Sequence, residues 1–284
     1  MIKLFRSTRI AYYLSYFSGV LLLFLLSWFI FFTGHYGGRP IFFLFVALLC
    51  LLIYLWAFIC AFIFESIAIK KMNNINQVMT NDCDFHKYIA TMNDLLQKNG
   101  KYNTTKRAIN RTRTYLLLNL STAFLNIGDN ATVAQVLSDV NYFPNNRTGA
   151  KSKVVYYNNL CLYYLRIKDI PSAAQALEQM NTALQNGKLR PLTRERYLTF
   201  YTGKQFLLNM ENGNYDGCKP YFNALYDKET SVLGKVSAKF TLGKIYLHEN
   251  RTAEAKQAFE YVIANGGASY YANQAKEYLN QLAQ

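Results

Sequence analysis

The chain has 284 residues, of which 51% are hydrophobic, and its formal net charge is +14 at pH 7. Its five cysteines have no paired spacing, which argues against a disulfide framework and a zinc site. No two of its three histidines stand at metal-ligand spacing, and the chain has no phosphate-binding glycine loop or hydrolase motif. We therefore expect a protein that is not an enzyme and needs no cofactor.

Two apolar, uncharged runs, at residues 10–34 and 40–64, follow the N-terminus. Each is as long as the roughly 20 residues that a helix needs to cross a bilayer, and the glycine-rich connection between them favours a tight turn. Five cations flank the pair of runs and only one lies between them, so the positive-inside rule places both termini on the cytoplasmic side. These features predict a two-span transmembrane anchor over residues 1–71, in a bacterial-type inner membrane.

Beyond the second run, apolar residues recur at helical spacing, which predicts an all-α arrangement. We expect residues 72–104 to form a stalk and a first packing helix, and residues 105–284 to form paired helices. Capping residues mark the boundaries, with Thr105 expected to start a helix and Gly128 to end one. The final helix has an apolar stripe on one side and polar residues on the other, which is typical of a solubilising cap.

Three helix pairs share one residue pattern. The first helix has a large residue, a small residue and then an aromatic one, and the second has a small, a bulky and an apolar residue. The aligned sets are Leu242, Gly243, Tyr246, Ala255, Phe259 and Val262; Leu160, Cys161, Tyr164, Ala173, Leu177 and Met180; and Leu120, Ser121, Phe124, Val133, Leu137 and Val140. A fourth copy, near residues 205–225, matches only on its second helix. The pattern resembles the tetratricopeptide repeat (TPR), over about residues 114–284.

The resemblance implies a TPR-like α-solenoid with a concave surface that binds a protein partner or peptide. By repeat register, the residues on that surface would be Asn119, Thr122, Asn158, Asn159, Arg166, Lys244 and His248. Asn119 and Asn159 occupy the repeat position at which peptide-clamping members of the family place an asparagine that bonds the ligand backbone. The alternative interpretation of these residues is ordinary polar surface.

The positive charge is clustered, since no acid lies between Asp94 and Asp129 while six bases do. Three kinds of partner fit such clusters: anionic lipid at the bilayer surface, an acidic protein, and nucleic acid. Nucleic acid fits least well because no nucleic-acid-binding motif accompanies the bases. For the lipid interpretation, the membrane-surface residues would be Lys70, Lys71, Lys101, Lys106, Arg107, Arg111 and Arg113.

Together these features predict a membrane-anchored cytoplasmic scaffold or adaptor that docks a protein partner through a TPR-like surface. One alternative is a membrane-tethered basic adaptor for nucleic acid. The other is an accessory subunit of a membrane transporter or enzyme, in which Glu65, the one acid among the first 71 residues, would be functional.

Overall fold

The structure, a computed structural model, describes residues 6–33, 39–102 and 105–283. Over these residues the chain forms twelve α-helices and no strand, as the spacing of its apolar residues predicts. The helices are α1 (Arg6–Thr33), α2 (Arg39–Thr80), α3 (Phe85–Tyr102), α4 (Lys106–Ile127), α5 (Asn130–Ser138), α6 (Arg147–Arg166), α7 (Ile170–Asn186), α8 (Pro191–Glu211), α9 (Cys218–Lys228), α10 (Val232–His248), α11 (Thr252–Asn265) and α12 (Tyr270–Leu282). The chain divides into an N-terminal unit, Met1–Asn74, and a C-terminal unit, Ile75–Gln284.

The N-terminal unit contains α1 and most of α2. The indole Nε1 of Trp56 on α2 donates a hydrogen bond of 3.1 Å to the hydroxyl of Ser18 on α1. Large apolar side chains on both helices are exposed, among them Phe17, Tyr54 and Phe58. The helix α2 runs without a break through Lys70 and Lys71 and ends at Thr80.

Within the described part of the chain, no helix combines the length and the sustained apolar content that crossing a membrane requires. The prediction of a transmembrane hairpin, with spans at 10–34 and 40–64, is therefore wrong. So is the inner-membrane localisation with two cytoplasmic termini that was derived from it. The prediction counted residues without charge, yet the first run includes the hydroxyl groups of Tyr13, Ser15 and Ser18. The turn predicted between the two runs falls at residues 34–38, outside the described residues.

Side-chain caps and a glycine define the helix boundaries of the C-terminal unit. The hydroxyl of Thr105 accepts a hydrogen bond from the backbone N–H of Ala108 and begins α4. Gly128 ends that helix in the left-handed conformation, with φ at 83°, which a residue with a side chain rarely adopts. Both boundaries confirm the prediction from capping residues.

The C-terminal unit is a series of packed helix pairs, with α3 lying against α4 ahead of them. The pairs α4/α5, α6/α7 and α10/α11 each pack through a buried apolar cluster of their own. In all three pairs the small position of the shared pattern, occupied by Ser121, Cys161 and Gly243, is buried. This serial packing is consistent with solenoid-like helical repeats, because each pair completes its core with the next.

The fourth pair is less regular, as its weak sequence pattern predicts. The backbone of α8 packs on α6 and α7, whereas α9 packs on α10. The two helices meet through aromatic rings, including those of Phe206 and Tyr221, whose centroids are 4.7 Å apart. The last helix, α12, packs on α11 and also reaches α10 and α4. The series of helices therefore turns far enough for its last member to return to α4, near the start of the series.

Candidate functional site

A cavity of about 200 Å³ lies where α6, α8 and α10 face α12. The first three are the leading helices of their pairs, so the cavity occupies the inner side of the repeat series, and α12 covers it. Four cations and one carboxylate line the cavity: Arg166, Lys168, Lys204, Lys244 and Glu211. Its remaining wall combines aliphatic and aromatic side chains, among them tyrosines of α12, with the polar side chains of Ser237, Thr241 and Gln274. The cavity thus combines an excess of positive charge with apolar and polar wall residues.

Glu211 neutralises two of the four cations. The Nζ atom of Lys168 lies 2.5 Å from one carboxylate oxygen, and the Nζ atom of Lys244 lies 3.1 Å from the other. Burial alone would raise the pKa of Glu211, but the bonds and charges of Lys168 and Lys244 outweigh it, so its pKa is lowered. Glu211 is therefore ionised at neutral pH, and it leaves Arg166 and Lys204 without a carboxylate partner among the described residues.

Arg166, the last residue of α6, joins three elements. Its Nη1 atom donates a hydrogen bond to the carbonyl of Leu125 on α4. Its guanidinium carbon lies 4.0 Å from the ring centroid of Tyr270, at the start of α12, in cation–π geometry. The other two nitrogens, Nε and Nη2, are buried and have no hydrogen-bond partner within the described part of the chain. Burying a donor without a partner costs about 1–3 kcal/mol, and more for a charged group.

The pKa of Tyr271 on α12 is affected by the charges that line the cavity. The residue is half-buried, and desolvation by itself would raise the pKa of its phenol. The charges of Arg166 and Lys204, together with the polar groups of Ser237 and Arg166 beside the phenol, outweigh that effect, and the pKa of Tyr271 is lowered. The nearby cations therefore favour the ionised form of this phenol.

Four of the predicted partner-binding residues, Asn119, Thr122, Asn158 and Asn159, lie on α4 and α6 and bond within the protein. The side-chain amide of Asn159 is buried and donates to the hydroxyls of Ser121 and Thr122, each at 2.9 Å, and to a backbone carbonyl of α4. The amide of Asn158 donates to Asn159 at 3.0 Å. These bonds connect the first helices of two neighbouring pairs, α4 and α6.

Asn119 is also engaged. Its side-chain oxygen accepts a hydrogen bond of 3.1 Å from the hydroxyl of Tyr88 on α3, and its nitrogen donates to the backbone of Tyr115. Tyr88 is fully buried, so this bond fixes α3 against α4.

The other three predicted residues lie in two different places. Arg166 and Lys244 both line the cavity, whereas the exposed His248 stacks on Tyr215 with ring centroids 3.8 Å apart. Partner binding by these seven residues stays a prediction.

The predicted membrane-surface cations fall into two groups. Lys101, Lys106, Arg107, Arg111 and Arg113 are exposed at the end of α3 and along the first half of α4. Arg113 forms an ion pair of 3.0 Å with Asp139. Lys70 and Lys71 lie on α2, in the N-terminal unit. Lipid contact by either group stays a prediction.

The first half of α8 presents a second unusual surface. Leu192 is 82% exposed, Leu198 is 43% exposed and Phe200 is 47% exposed, and the one buried residue of this helix is Met210, near its end. Exposed cations lie among these side chains. We define the α8 surface by Arg190, Leu192, Arg194, Arg196, Leu198 and Phe200. Residues four apart share one side of a helix, so Leu192, Arg196 and Phe200 form one stripe, and Arg194 and Leu198 form another, with Glu195 and Thr199 between them. Exposed apolar and basic stripes of this kind are typical of a surface that binds another macromolecule.

Lys204, Glu211 and Tyr271 are not among the residues predicted from the sequence, because nothing local in the sequence indicates that α12 returns to the inner side of the series. The available signals were a single lysine in the apolar second half of α8 and the tyrosine pair at the start of α12.

Over the described residues, no cluster of histidine, cysteine, aspartate and glutamate is arranged to hold a metal ion. No protein-family model, curated protein or solved structure matches this chain.

Proposed function

We propose that this protein is a scaffold or adaptor of the TPR-like kind, whose C-terminal unit binds an acidic segment of a partner protein. The observation that carries the proposal is the α8 surface, which combines exposed Leu192, Leu198 and Phe200 with three arginines. The TPR-like architecture is supported by the burial of all three small pattern positions in regular pairs. In this proposal docking moves from the concave face, which α12 covers, to α8.

The chemistry of the α8 surface selects the partner. Burying a leucine or phenylalanine side chain completely contributes about 1.5–3 kcal/mol, so Leu192 and Phe200 on one stripe, with Leu198 on the other, supply the apolar part of the contact. The arginines around them favour an acidic sequence, speed the encounter and make binding salt-dependent. An amphipathic segment with alternating acidic and apolar residues meets both requirements. The single exposed acid on this half of α8, Glu195, leaves the surface basic.

Site-specific photocrosslinking tests the proposal. A photoreactive side chain at position 198 of the full chain should capture a discrete protein, and mass spectrometry should locate the adduct in an acidic segment. The same side chain at exposed position 257 of α11 is the matched control and should not capture it. Replacing Leu192, which is 82% exposed, by alanine should weaken the captured complex and leave the melting temperature unchanged. Recovery of nucleic acid alone, or equal capture from both positions, would contradict the proposal.

A further inference from the structure

The cavity under α12 has an unused pair of donors that points to a ligand. In the planar guanidinium of Arg166, the N–H of Nε and one N–H of Nη2 project in parallel from the same edge of the group. These are the two atoms that are buried without a partner, while Nη1 is already bonded to α4. That edge matches two oxygens of a carboxylate or phosphate, which a guanidinium binds by two parallel hydrogen bonds.

A second cation, Lys204, lies on the neighbouring helix α8. Lys204 on α8 lines the same cavity and, over the described residues, forms no ion pair, whereas Lys168 and Lys244 are held by Glu211. Arg166, Lys204 and Tyr271 of α12 all line this one cavity. An anion placed there would be held between α6, α8 and α12.

The other residues of the cavity wall indicate the size and character of the uncharged part of the ligand, which we call its body. Leu207, Phe240 and Tyr278 line the cavity together with the two tyrosines at the start of α12. The volume of about 200 Å³ is below the roughly 300 Å³ at which pockets for drug-sized ligands begin. The cavity therefore has room for a compact molecule with a flat or apolar body, and α12 bars a peptide chain from passing through it.

We propose that this cavity is a binding site for a small organic oxyanion, a carboxylate or phosphate, held by the free edge of Arg166 and by Lys204. The ligand body packs against the aromatic side chains of α10 and α12. Because it bridges four helices, the bound ligand fastens α12 to the inner side of the repeat series. The site is independent of the α8 surface and stands whether or not that surface binds a protein.

Calorimetric titration of the full-length protein tests this, with phenyl phosphate and benzoate as probes and inorganic phosphate as the probe without an apolar body. We expect one saturable site per chain for at least one organic probe, weaker binding of inorganic phosphate and a rise in melting temperature with the bound probe. Arg166→Lys keeps the charge but removes the paired donors, and Lys204→Met removes the second cation. Each should weaken binding by about tenfold or more, the loss expected from one charge-assisted bond.

The matched control is Arg147→Met, since Arg147 is exposed at the first turn of the same helix, about 28 Å from Arg166 at 1.5 Å per residue. This variant should bind as the unaltered protein does, and so should Leu198→Ala on the α8 surface. Circular dichroism checks the fold of each variant, and Lys204→Met decides the matter if Arg166→Lys is unfolded. The proposal is overturned if the unaltered protein binds no organic probe saturably, if Lys204→Met retains full affinity, or if Arg147→Met weakens binding as much as Lys204→Met does.

Discussion

Replacing Gly243 by alanine should destabilise the C-terminal unit, although alanine is the better helix former. Gly243 lies in the interior of α10, and a Cβ atom added there would come within 2.5 Å of the ring of Phe259 on α11. That ring cannot move aside easily, because it is fully buried and stacked on Tyr278, with centroids 5.0 Å apart and planes 3° from parallel. Overpacking of a buried site costs about 1–3 kcal/mol, against a gain of about 1 kcal/mol from helix propensity. The difference is about 0–2 kcal/mol, and because a separation of 2.5 Å is a severe overlap we expect a net loss in the upper half of that range, roughly 1–2 kcal/mol.

Gly100→Ala is the matched control, since Gly100 is an exposed glycine in α3 and a Cβ atom there meets nothing within 4 Å. This variant should gain about 0.5 kcal/mol. Urea denaturation followed by far-UV circular dichroism gives both values, and the opposite signs separate close packing from helix propensity. If Gly243→Ala is as stable as Gly100→Ala, then α10 and α11 do not approach as closely as the structure shows, and the role of the small pattern position is refuted.

Three further predictions concern buried polar groups. Asn159→Ala removes the amide that joins α4 to α6 and should cost about 2–3 kcal/mol in urea denaturation, because several oxygens lose a donor. The folded-state pKa of Glu211 is lowered by Lys168 and Lys244, so its stabilising contribution is present above the ordinary carboxyl pKa and is lost as the pH falls through the folded value. The stability difference between the unaltered protein and Glu211→Gln should therefore shrink at acidic pH. Burial raises the pKa of the Cys161 thiol to about 11, so this thiol should resist alkylation at neutral pH until the chain unfolds, as measured by mass spectrometry.

Each of the three has a clear contradicting result. An alanine at position 159 that leaves the urea midpoint unchanged would show that the amide network contributes nothing. A difference for Glu211→Gln that stays constant between neutral and acidic pH would remove the proposed ion pairing. Alkylation of Cys161 in the folded protein, as fast as in urea, would contradict its burial. An exposed asparagine of α12, Asn273, changed to alanine serves as the stability control and should be silent.

The sequence predicted what depends on short-range interactions. The start of α4 at Thr105 and its end at Gly128 follow from hydrogen bonds within one helical turn and from one backbone angle, which neighbouring residues determine. The small positions Ser121, Cys161 and Gly243 could be recognised because close approach of two helices limits residue size wherever it recurs. The candidate cavity was found only in part, since two of its cations, Arg166 and Lys244, were chosen for another reason.

The features that the sequence did not predict depend on many contacts acting together. The return of α12 to α4 results from the angles between successive helix pairs, and small errors in each would change it. The weak fourth copy of the pattern predicts that α8 and α9 form an irregular pair. It does not predict that α8 packs on α6 and α7 while α9 packs on α10. For the first 71 residues, the absence of charge suggested two membrane spans, and the hydropathy of the described helices does not support them.

The closure of the repeat series by α12 can be measured directly by pulsed electron paramagnetic resonance. Spin labels at exposed Ala131, just after the end of α4, and exposed Asn273 on α12 report the separation of the two ends. Packed helices lie about 10 Å apart, so four successive spacings in an open series would separate these ends by about 40 Å. With α12 packed on α4, we expect a narrow distribution centred below about 25 Å, whereas a distribution near 40 Å would show that the series is open and that the cavity does not form.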